Sequence, residues 1–167
     1  MSVQIRLARP EEAELVREIE QSAGETFRGS AHAYVADHPP PPAAVYAALA
    51  AEGLVLLAEQ HRQAIGFAAC EPVADALHLK ELAVRYERQG RGIGRALVEA
   101  VAAEARRRGL PAVTLTTFQD LPWNGPWYAR RGFVELTAGT LGERLREELA
   151  AETGRGLSAR CAMRLAL

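Results

Sequence analysis

Residues 85–95 combine glycine and arginine in a pattern that can bind a diphosphate. Glycines stand at positions 90, 92 and 94, and arginines surround them at positions 85, 88, 91 and 95. A glycine has no Cβ atom, so an anion can approach the backbone N–H groups closely. Helical spacing of apolar residues starts at Ile93, and a helix N-terminus carries unpaired N–H groups at the positive end of its dipole. The run therefore predicts a pyrophosphate-binding loop.

Two common phosphate-binding patterns do not fit this loop. The Walker pattern ends in Gly-Lys-Ser/Thr, whereas Gly94 is followed by an arginine. The dinucleotide pattern G-x-G-x-x-G lacks its third glycine, because Arg95 or Leu97 stands in that place. A small Rossmann-like domain with Asp120 on a ribose is disfavoured for this reason.

A second group of candidate residues follows the next predicted strand. Asn124 stands in an Asn-Gly-Pro turn, and Tyr128 lies four residues further on. The loop itself matches the pattern Gln/Arg-x-x-Gly-x-Gly/Ala through Gln89, Gly92 and Gly94. The two motifs, with a helix between them, resemble the GCN5-related N-acetyltransferase (GNAT) family. The resemblance is strong from about residue 76 to 136.

The resemblance implies an enzyme that moves an acetyl group from acetyl-CoA to a primary amine by direct attack on the thioester. It implies a small-molecule amine as acceptor, with a peptide or protein N-terminus as the alternative. The diphosphate of coenzyme A would lie on the loop, and its pantetheine arm along the preceding strand. The implied cofactor-binding residues are Leu82, Ala83, Val84, Gln89, Gly90, Arg91, Gly92, Ile93, Gly94, Arg95, Asn124 and Tyr128.

Tyr128 is the predicted general acid of the transfer. A phenol with an ordinary pKa of about 10 matches the basicity of a thiolate leaving group, so it can protonate that group. The alternative is that the ring packs beside Trp127 and that the hydroxyl only caps a strand. The spacing to Asn124 and to Gly132 favours the catalytic role.

Glu81 is the predicted general base. It alternates with Leu77 and Leu79 on one face of a predicted strand, where a carboxylate is costly to bury without a partner or a function. An ion pair with a neighbouring arginine is the alternative. His78 falls on the other face and is expected at the surface, which makes it a poorer candidate.

The segment from residue 22 to 42 contains glycines and a run of prolines, and it predicts an ordered loop or short linker. In the family that the chain resembles, this region forms one wall of the acceptor pocket. Phe27 and Arg28 are the substrate-binding candidates that follow from the resemblance. The alternative is a solvated loop with one aromatic anchor.

Composition limits the partners that the chain can have. The formal net charge is −1 and the pI is about 6.4, so nothing steers the molecule toward nucleic acid or anionic lipid. The triplet 106–108 of arginines ends a helix and offsets its dipole. The sequence lacks a membrane-length apolar run and a signal-type N-terminus, so we expect a cytoplasmic protein. A homodimer is among the oligomeric states that the sequence permits.

The cysteines and histidines do not form a metal-binding pattern. Cys70 and Cys161 lie far apart in apolar runs and are expected to be small buried residues. The histidines are scattered, and neither HExxH nor DxDxDG spacing occurs. We therefore expect acetyl-CoA as co-substrate and no metal.

Periodicity predicts an α/β fold in a single domain over residues 1–167. Strands are predicted over residues 3–7, 54–59, 64–71, 76–84, 112–118 and 158–165, with another from Phe133. Helices are predicted after Pro10, over 43–51, 93–109, 127–131 and 142–152. The strands on either side of the long helix should be parallel neighbours. The resemblance implies a mixed, mostly antiparallel GNAT-like sheet with a splayed parallel strand pair and helices on both faces.

A non-catalytic acyl-CoA-binding sensor or interaction module is the second functional hypothesis. Such a protein would keep the diphosphate loop but lack productive acceptor chemistry. The presence of both Asn124 and Tyr128 argues against it.

Overall fold

The computed structural model of the chain describes residues 2–167 and contains a mixed sheet of seven strands. The strands are β1 (Gln4–Leu7), β2 (Val55–Gln60), β3 (Gln63–Val73), β4 (Ala76–Val84), β5 (Ala112–Phe118), β6 (Val134–Glu135) and β7 (Arg160–Ala166). Their order across the sheet is β1-β2-β3-β4-β5-β7-β6. Strands β4 and β5 pair in parallel, whereas β1–β2, β2–β3, β5–β7 and β6–β7 are antiparallel. The predicted mixed, mostly antiparallel sheet is confirmed.

The helices of the described chain also follow the predicted order. They are α1 (Ala13–Ala23), α2 (Ala43–Ala51), α3 (Ile93–Arg107), α4 (Gly125–Ala129) and α5 (Glu143–Gly154). Helix α4 begins earlier than predicted because Pro126 suits a first turn, where an N–H would have no partner. Short 3₁₀ turns, Gly24–Phe27 and Ala33–Asp37, order the predicted loop before α2. None of the helices within residues 2–167 combines the length and apolar character that crossing a membrane requires.

The chain divides into two compact units. The first contains the chain up to Pro72 together with Leu79–Glu104, and the second contains Val73–His78 and Ala105–Leu167. Strand β4 therefore contributes its first residues to the second unit and the rest to the first.

The first unit has helices on both faces of its strands. On one face α1 and α2 bury apolar side chains against β2 and β3, including Val16, Ile19, Tyr46, Leu57 and Phe67. Burial of each large side chain contributes roughly 1.5–3 kcal/mol of transfer free energy. On the other face α3 packs close to Gly66 of β3, where a Cβ atom would meet Leu97 and Ile93. The helix therefore starts at a fixed point beside the end of β4.

The second unit holds α5 against its strands through a polar seam, which we define as His78, Thr114, Thr116, Glu148, Glu152 and Arg160. His78 is only 3% exposed, so its predicted surface position was wrong. The residues from Ala76 to Leu79 are all buried, which means that β4 is covered on both faces there. The His78 ring contacts Thr114 Oγ1 at 3.0 Å through Nδ1 and Glu148 Oε1 at 3.2 Å through Nε2.

Both glutamates of the polar seam have partners that compensate their burial. Burial alone would raise the pKa of Glu148, but the hydrogen bond and charge of His78, with Arg144, hold it at about 2. Glu152 is 4% exposed and accepts hydrogen bonds from Thr116 Oγ1 at 2.6 Å and from Arg160 Nε at 3.0 Å. A buried carboxylate is tolerated only with such compensation.

The two cysteines are both buried, as predicted. Cys70 is 2% exposed in β3, and Cys161 is 6% exposed in β7. Burial raises the pKa of the Cys161 thiol to about 11, which disfavours the reactive thiolate. Within residues 2–167, no three His, Cys, Asp or Glu side chains are grouped so that they could hold a metal ion.

A buried carboxylate ties the start of α1 to the edge of the first unit. Glu12 is 8% exposed and accepts hydrogen bonds from Arg6 at 2.8 and 2.9 Å and from the Arg9 N–H at 2.8 Å. The Arg6 hydrogen bonds, opposed by burial and assisted by Arg9, lower the pKa of Glu12 to about 2. The lowered pKa means that the ionised form stabilises the fold.

Glu12→Gln should therefore destabilise the protein at neutral pH by about 2 kcal/mol, the usual size of a charged hydrogen bond. Because the folded pKa lies below the unfolded one, this contribution is complete above about pH 4.5 and disappears as pH falls to about 2. Denaturant unfolding of both proteins across this pH range measures it. Glu11→Gln is the matched control, since Glu11 is exposed and its change should stay within about 0.5 kcal/mol. Equal effects of the two substitutions would contradict the assignment.

Candidate functional site

The glycine loop, which we define as residues 89–94, joins β4 to α3 after a 3₁₀ turn at Tyr86–Arg88. Gly90 has a φ of +73° and Gly92 a φ of +81°, a conformation that other residues adopt only with strain. A Cβ atom built on either glycine would meet no protein atom within 4 Å. The loop therefore presents bare backbone toward open space.

Backbone donors of α3 begin at this loop. The first intrahelical bond of α3 runs from Ala96 N to Gly92 O at 3.1 Å. The N–H groups of Ile93, Gly94 and Arg95 precede it, so the helix offers them no carbonyl acceptor. They stand at the positive end of the dipole of a fifteen-residue helix, which suits an anion.

The arginines around the loop differ in what they can offer an anion. Arg91 is exposed beside the glycines. Arg95 forms an exposed ion pair with Glu99 at 2.8 Å, so its charge is shared. Arg85 donates its backbone N–H to Ile65 O at 2.8 Å and its Nε to Ala64 O at 3.0 Å, which makes it an anchor of the chain.

The side chain of Gln89 is used inside the protein. Its Nε2 donates to Val84 O at 2.9 Å, and its Oε1 accepts from Thr26 Oγ1 at 2.6 Å. Its backbone N–H donates to Tyr86 O at 3.3 Å. Both polar groups of the Gln89 side chain therefore have protein partners that shape the loop, and its contact with the cofactor stays a prediction.

The predicted pantetheine strand is the last part of β4. Ala83 is buried, whereas Leu82 and Val84 are half-buried. The carbonyl of Val84 accepts from Gln89 as described. The end of this strand and the start of the glycine loop are therefore joined by a side chain as well as by the backbone.

Carboxylates gather around a buried tyrosine on the face of β4 that α1 and α2 cover. Tyr46 is 3% exposed, packs edge-on against Phe67 with ring centroids 5.4 Å apart, and donates its hydroxyl to Glu20. Burial, then the negative charges of Glu81 and Glu20, raise the pKa of Tyr46. Burial also raises the pKa of Glu20. The half-buried Glu81 is thus part of an acidic environment.

Sequence reasoning missed Glu20 and Tyr46. A signal was present for Glu20, because it lies four residues after the core residue Val16 and so near the inner face of α1. Tyr46 was hidden in an alanine-rich helix whose apolar residues do not mark one face.

The predicted acceptor residues lie in and beside the 3₁₀ turn Gly24–Phe27. Phe27 is half-buried at the end of that turn. Arg28 is exposed and pairs with Glu25 at 2.7 Å and with Asp37 at 3.1 Å. Two carboxylates therefore compensate its charge, and the role of Arg28 in substrate binding stays a prediction.

The second unit holds Asn124 and Tyr128. Asn124 precedes α4 and accepts the Tyr128 N–H at 3.0 Å through its backbone oxygen, while its Nδ2 donates to Trp123 O at 3.1 Å. Tyr128 is 8% exposed, and its ring packs edge-on against Trp127 at 5.0 Å and Phe133 at 5.4 Å. The packing beside Trp127 that the alternative role of Tyr128 requires is present, and it fixes the direction of the phenol ring, while the catalytic role stays a prediction.

Comparison with known proteins places this geometry in a family. The family model of the acetyltransferase (GNAT) domain matches residues 51–135, half of the chain. The chain belongs to the GNAT family. The matched residues contain β4, the glycine loop, α3, Asn124 and Tyr128, so the motifs that suggested the resemblance lie inside the match. The predicted family and acetyltransferase class are confirmed.

Solved structures of other GNAT proteins share the fold. The PaiA N-acetyltransferase from Thermoplasma acidophilum, in complex with coenzyme A, has a TM-score of 0.75 at 16% identity and 100% coverage of both chains. A GNAT family acetyltransferase from Brucella melitensis, in complex with acetyl-CoA, has a TM-score of 0.58 at 28% identity, over 80% of this chain and 83% of that one. The ribosomal-protein-S18-alanine N-acetyltransferase from Escherichia coli has a TM-score of 0.70 at 21% identity, over 99% and 94%. Two of these structures contain CoA or acetyl-CoA, the co-substrate that the family resemblance implies.

Proposed function

We propose that this protein transfers the acetyl group of acetyl-CoA to a primary amine of a small molecule. The observation that carries the proposal is the glycine loop at the N-terminus of α3, with open space above Gly90 and Gly92, in a chain of the GNAT family. We also propose that residues 1–167 act as one acetyltransferase domain. The family match supports this, because residues 51–135 include parts of both compact units.

The acyl donor would be held mainly by backbone groups. The N–H groups of Ile93, Gly94 and Arg95 would bind the diphosphate, and the exposed Arg91 would add positive charge. The residues Leu82, Ala83 and Val84 would lie along the pantetheine arm, and Asn124 would contact the same arm. Gly90 and Gly92 would contribute by leaving room for the phosphate oxygens.

The reaction needs a nucleophile, support for an oxyanion and a proton for the leaving group. The neutral amine attacks the thioester carbon, and the bond from that carbon to sulfur breaks. Tyr128 gives its phenolic proton to the departing thiolate, and Glu81 accepts the proton that the amine nitrogen loses. Backbone N–H groups of β4 stabilise the oxyanion of the tetrahedral intermediate.

The proposal of an amine acceptor rests on charge. Glu81 and Glu20 raise the pKa of the buried Tyr46 and Arg17 opposes them, and we propose that the Glu81 carboxylate attracts the ammonium form of an amine. Phe27 is the aromatic acceptor contact that we propose. Arg28 is already paired with two carboxylates and would hold the turn in place. The cytoplasmic location and the oligomeric state stay predictions.

A direct test combines calorimetry with a thiol-release assay. Titration with acetyl-CoA should give saturable heat, and a panel of monoamines, polyamines, amino acids and an alanine-initiated peptide should then release free thiol selectively. Small amines should be the best acceptors. Preference for the peptide would move the acceptor to a protein N-terminus, and binding without any thiol release would favour the sensor hypothesis. No heat with acetyl-CoA would overturn the proposal.

Gly92→Ala should weaken acetyl-CoA binding by more than about tenfold, because its Cβ would enter the space of the diphosphate. Gly156→Ala is the matched control, since Gly156 also has an open position and a φ of +86° but lies outside the loop. Both variants should lose about 1 kcal/mol of stability from the strained backbone. Thermal denaturation and calorimetry separate the two effects. Similar affinities of the two variants would exclude the loop as the diphosphate site.

Tyr128→Phe should lower kcat by about a hundredfold, the usual size of a general-acid contribution. The ring packing against Trp127 and Phe133 survives this change, so the acetyl-CoA dissociation constant should stay within about twofold. Tyr34→Phe, at an exposed phenol, serves as the control. Steady-state kinetics and calorimetry supply the two readouts. A normal kcat in Tyr128→Phe would remove the residue from the chemistry.

Glu81→Gln should remove the acidic limb of the pH profile and lower kcat/KM for the amine by about a hundredfold. Glu20→Gln is the matched comparison on the same tyrosine. Because burial raises the pKa of Glu20, a Glu20 base would become active only above the ordinary range of a glutamate. Loss of that limb in Glu20→Gln, with Glu81→Gln unaffected, would transfer the role of base to Glu20.

A further inference from the structure

A hydrogen-bonded link connects the glycine loop to the turn after α1, entirely within the first unit. Thr26 Oγ1 donates to Gln89 Oε1 at 2.6 Å, and Gln89 Nε2 donates to Val84 O at 2.9 Å. Both side chains are half-buried. The amide of Gln89 therefore connects the 3₁₀ turn Gly24–Phe27 to the last residue of β4.

The chemistry of this link fixes how the amide of Gln89 is oriented. A carbonyl oxygen such as that of Val84 can only accept, so it requires the NH₂ side of the amide. A flipped amide would set two carbonyl oxygens against each other and lose that bond. The hydroxyl of Thr26 then has a well-placed acceptor in Gln89 Oε1, which holds the side chain from the other side.

The glycine loop needs such a support at its start. Gly90 and Gly92 have positive φ angles and no side chain that packing could hold in place, and a glycine backbone can adopt more conformations than that of other residues. The end of the loop is fixed, because Ile93 is 3% exposed in the core. The start of the loop is fixed at Gln89 by side-chain bonds to Thr26 and Val84.

We propose that Thr26 is a positioning residue for acyl-donor binding, which it supports through Gln89 and without touching the donor. The inference rests on the proposed function, because it takes the glycine loop as the diphosphate site. When the Thr26 hydroxyl holds Gln89, the loop keeps the backbone angles that direct its N–H groups at one anion. Without this hydroxyl the glycine loop samples other backbone φ and ψ angles. Part of the free energy of donor binding is then spent on ordering the loop.

The test compares two donors that differ in the diphosphate. Acetyl-CoA carries it, and S-acetylpantetheine has the same thioester without it. Thr26→Val, which replaces the hydroxyl by a methyl group, should raise the KM and the dissociation constant for acetyl-CoA about three- to tenfold at unchanged kcat. Thr26→Ser should restore both values, and kcat/KM for S-acetylpantetheine should be the same in all three proteins.

A double-mutant cycle tests the route of the effect. Gln89→Met keeps the length of the side chain but cannot bond to Thr26 or Val84, so adding Thr26→Val to it should cause no further loss of acetyl-CoA affinity. Independent, additive losses would overturn the proposal, as would an equal loss for both donors, which would indicate a general structural role. If wild type fails to bind acetyl-CoA, the proposed function fails as well. If wild type and Thr26→Val bind it equally, only the role of Thr26 fails.

Discussion

The absence of a side chain at Gly66 sets the position of α3 and therefore of the glycine loop. A Cβ atom there would lie 3.0 Å from Ala83 O, 3.2 Å from Leu97 and 3.3 Å from Ile93. A contact of 3.0 Å is tighter than most real Cβ contacts, so a neighbour would have to shift, and the first atom is backbone that cannot rotate away. The helix can approach the strands this closely only because β3 offers bare backbone at this point. The same approach holds Ile93, the first residue of the helix, beside the end of β4.

Two glutamates in the first unit, Glu12 and Glu20, show how the hydrogen-bond donor beside a carboxyl group determines the direction of its pKa shift. Glu12 has arginine and backbone donors, and its pKa is lowered to about 2. Glu20 is half-buried with a neutral phenol as its hydrogen-bond partner, and burial raises its pKa. A neutral donor compensates a buried charge less well than a guanidinium does. The ionised Glu12 therefore stabilises the fold, whereas the raised pKa of Glu20 favours its neutral form more than that of an exposed glutamate.

Most elements of the fold follow from local patterns in the sequence. The sequence predicted α2 at residues 43–51, β4 at 76–84 and β5 at 112–118, and these bounds agree with the structure. The glycine loop was predictable because glycine is the residue that most easily adopts positive φ angles, and Gly90 and Gly92 both have them. Local patterns predict structure well where the backbone conformation at a position determines which residue type it can hold.

Side-chain partners from distant segments could not be predicted in the same way. His78 looked exposed because alternation along β4 does not reveal that α5 covers the second face, with Glu148 at 3.2 Å. The hydrogen bond from Thr26 to Gln89 could not be predicted, because the two residues lie 63 positions apart in the sequence. The ion pair of Arg28 with Asp37 in the next turn was likewise not predicted. Each of these contacts depends on which segments of the chain lie next to each other in the fold. The sequence pattern around a residue does not predict that.

The polar seam under α5 has a consequence for how that helix docks. An apolar interface of similar residues tolerates a helix that slides by one turn, since one aliphatic side chain can replace another. Here Glu148 and Glu152 must each meet a particular donor, His78 in one case and Thr116 with Arg160 in the other. A shift of one turn, roughly 5.4 Å, would leave at least one buried carboxylate without its donors. The polar seam thus selects a single register for a helix whose buried residue is the carboxylate Glu152.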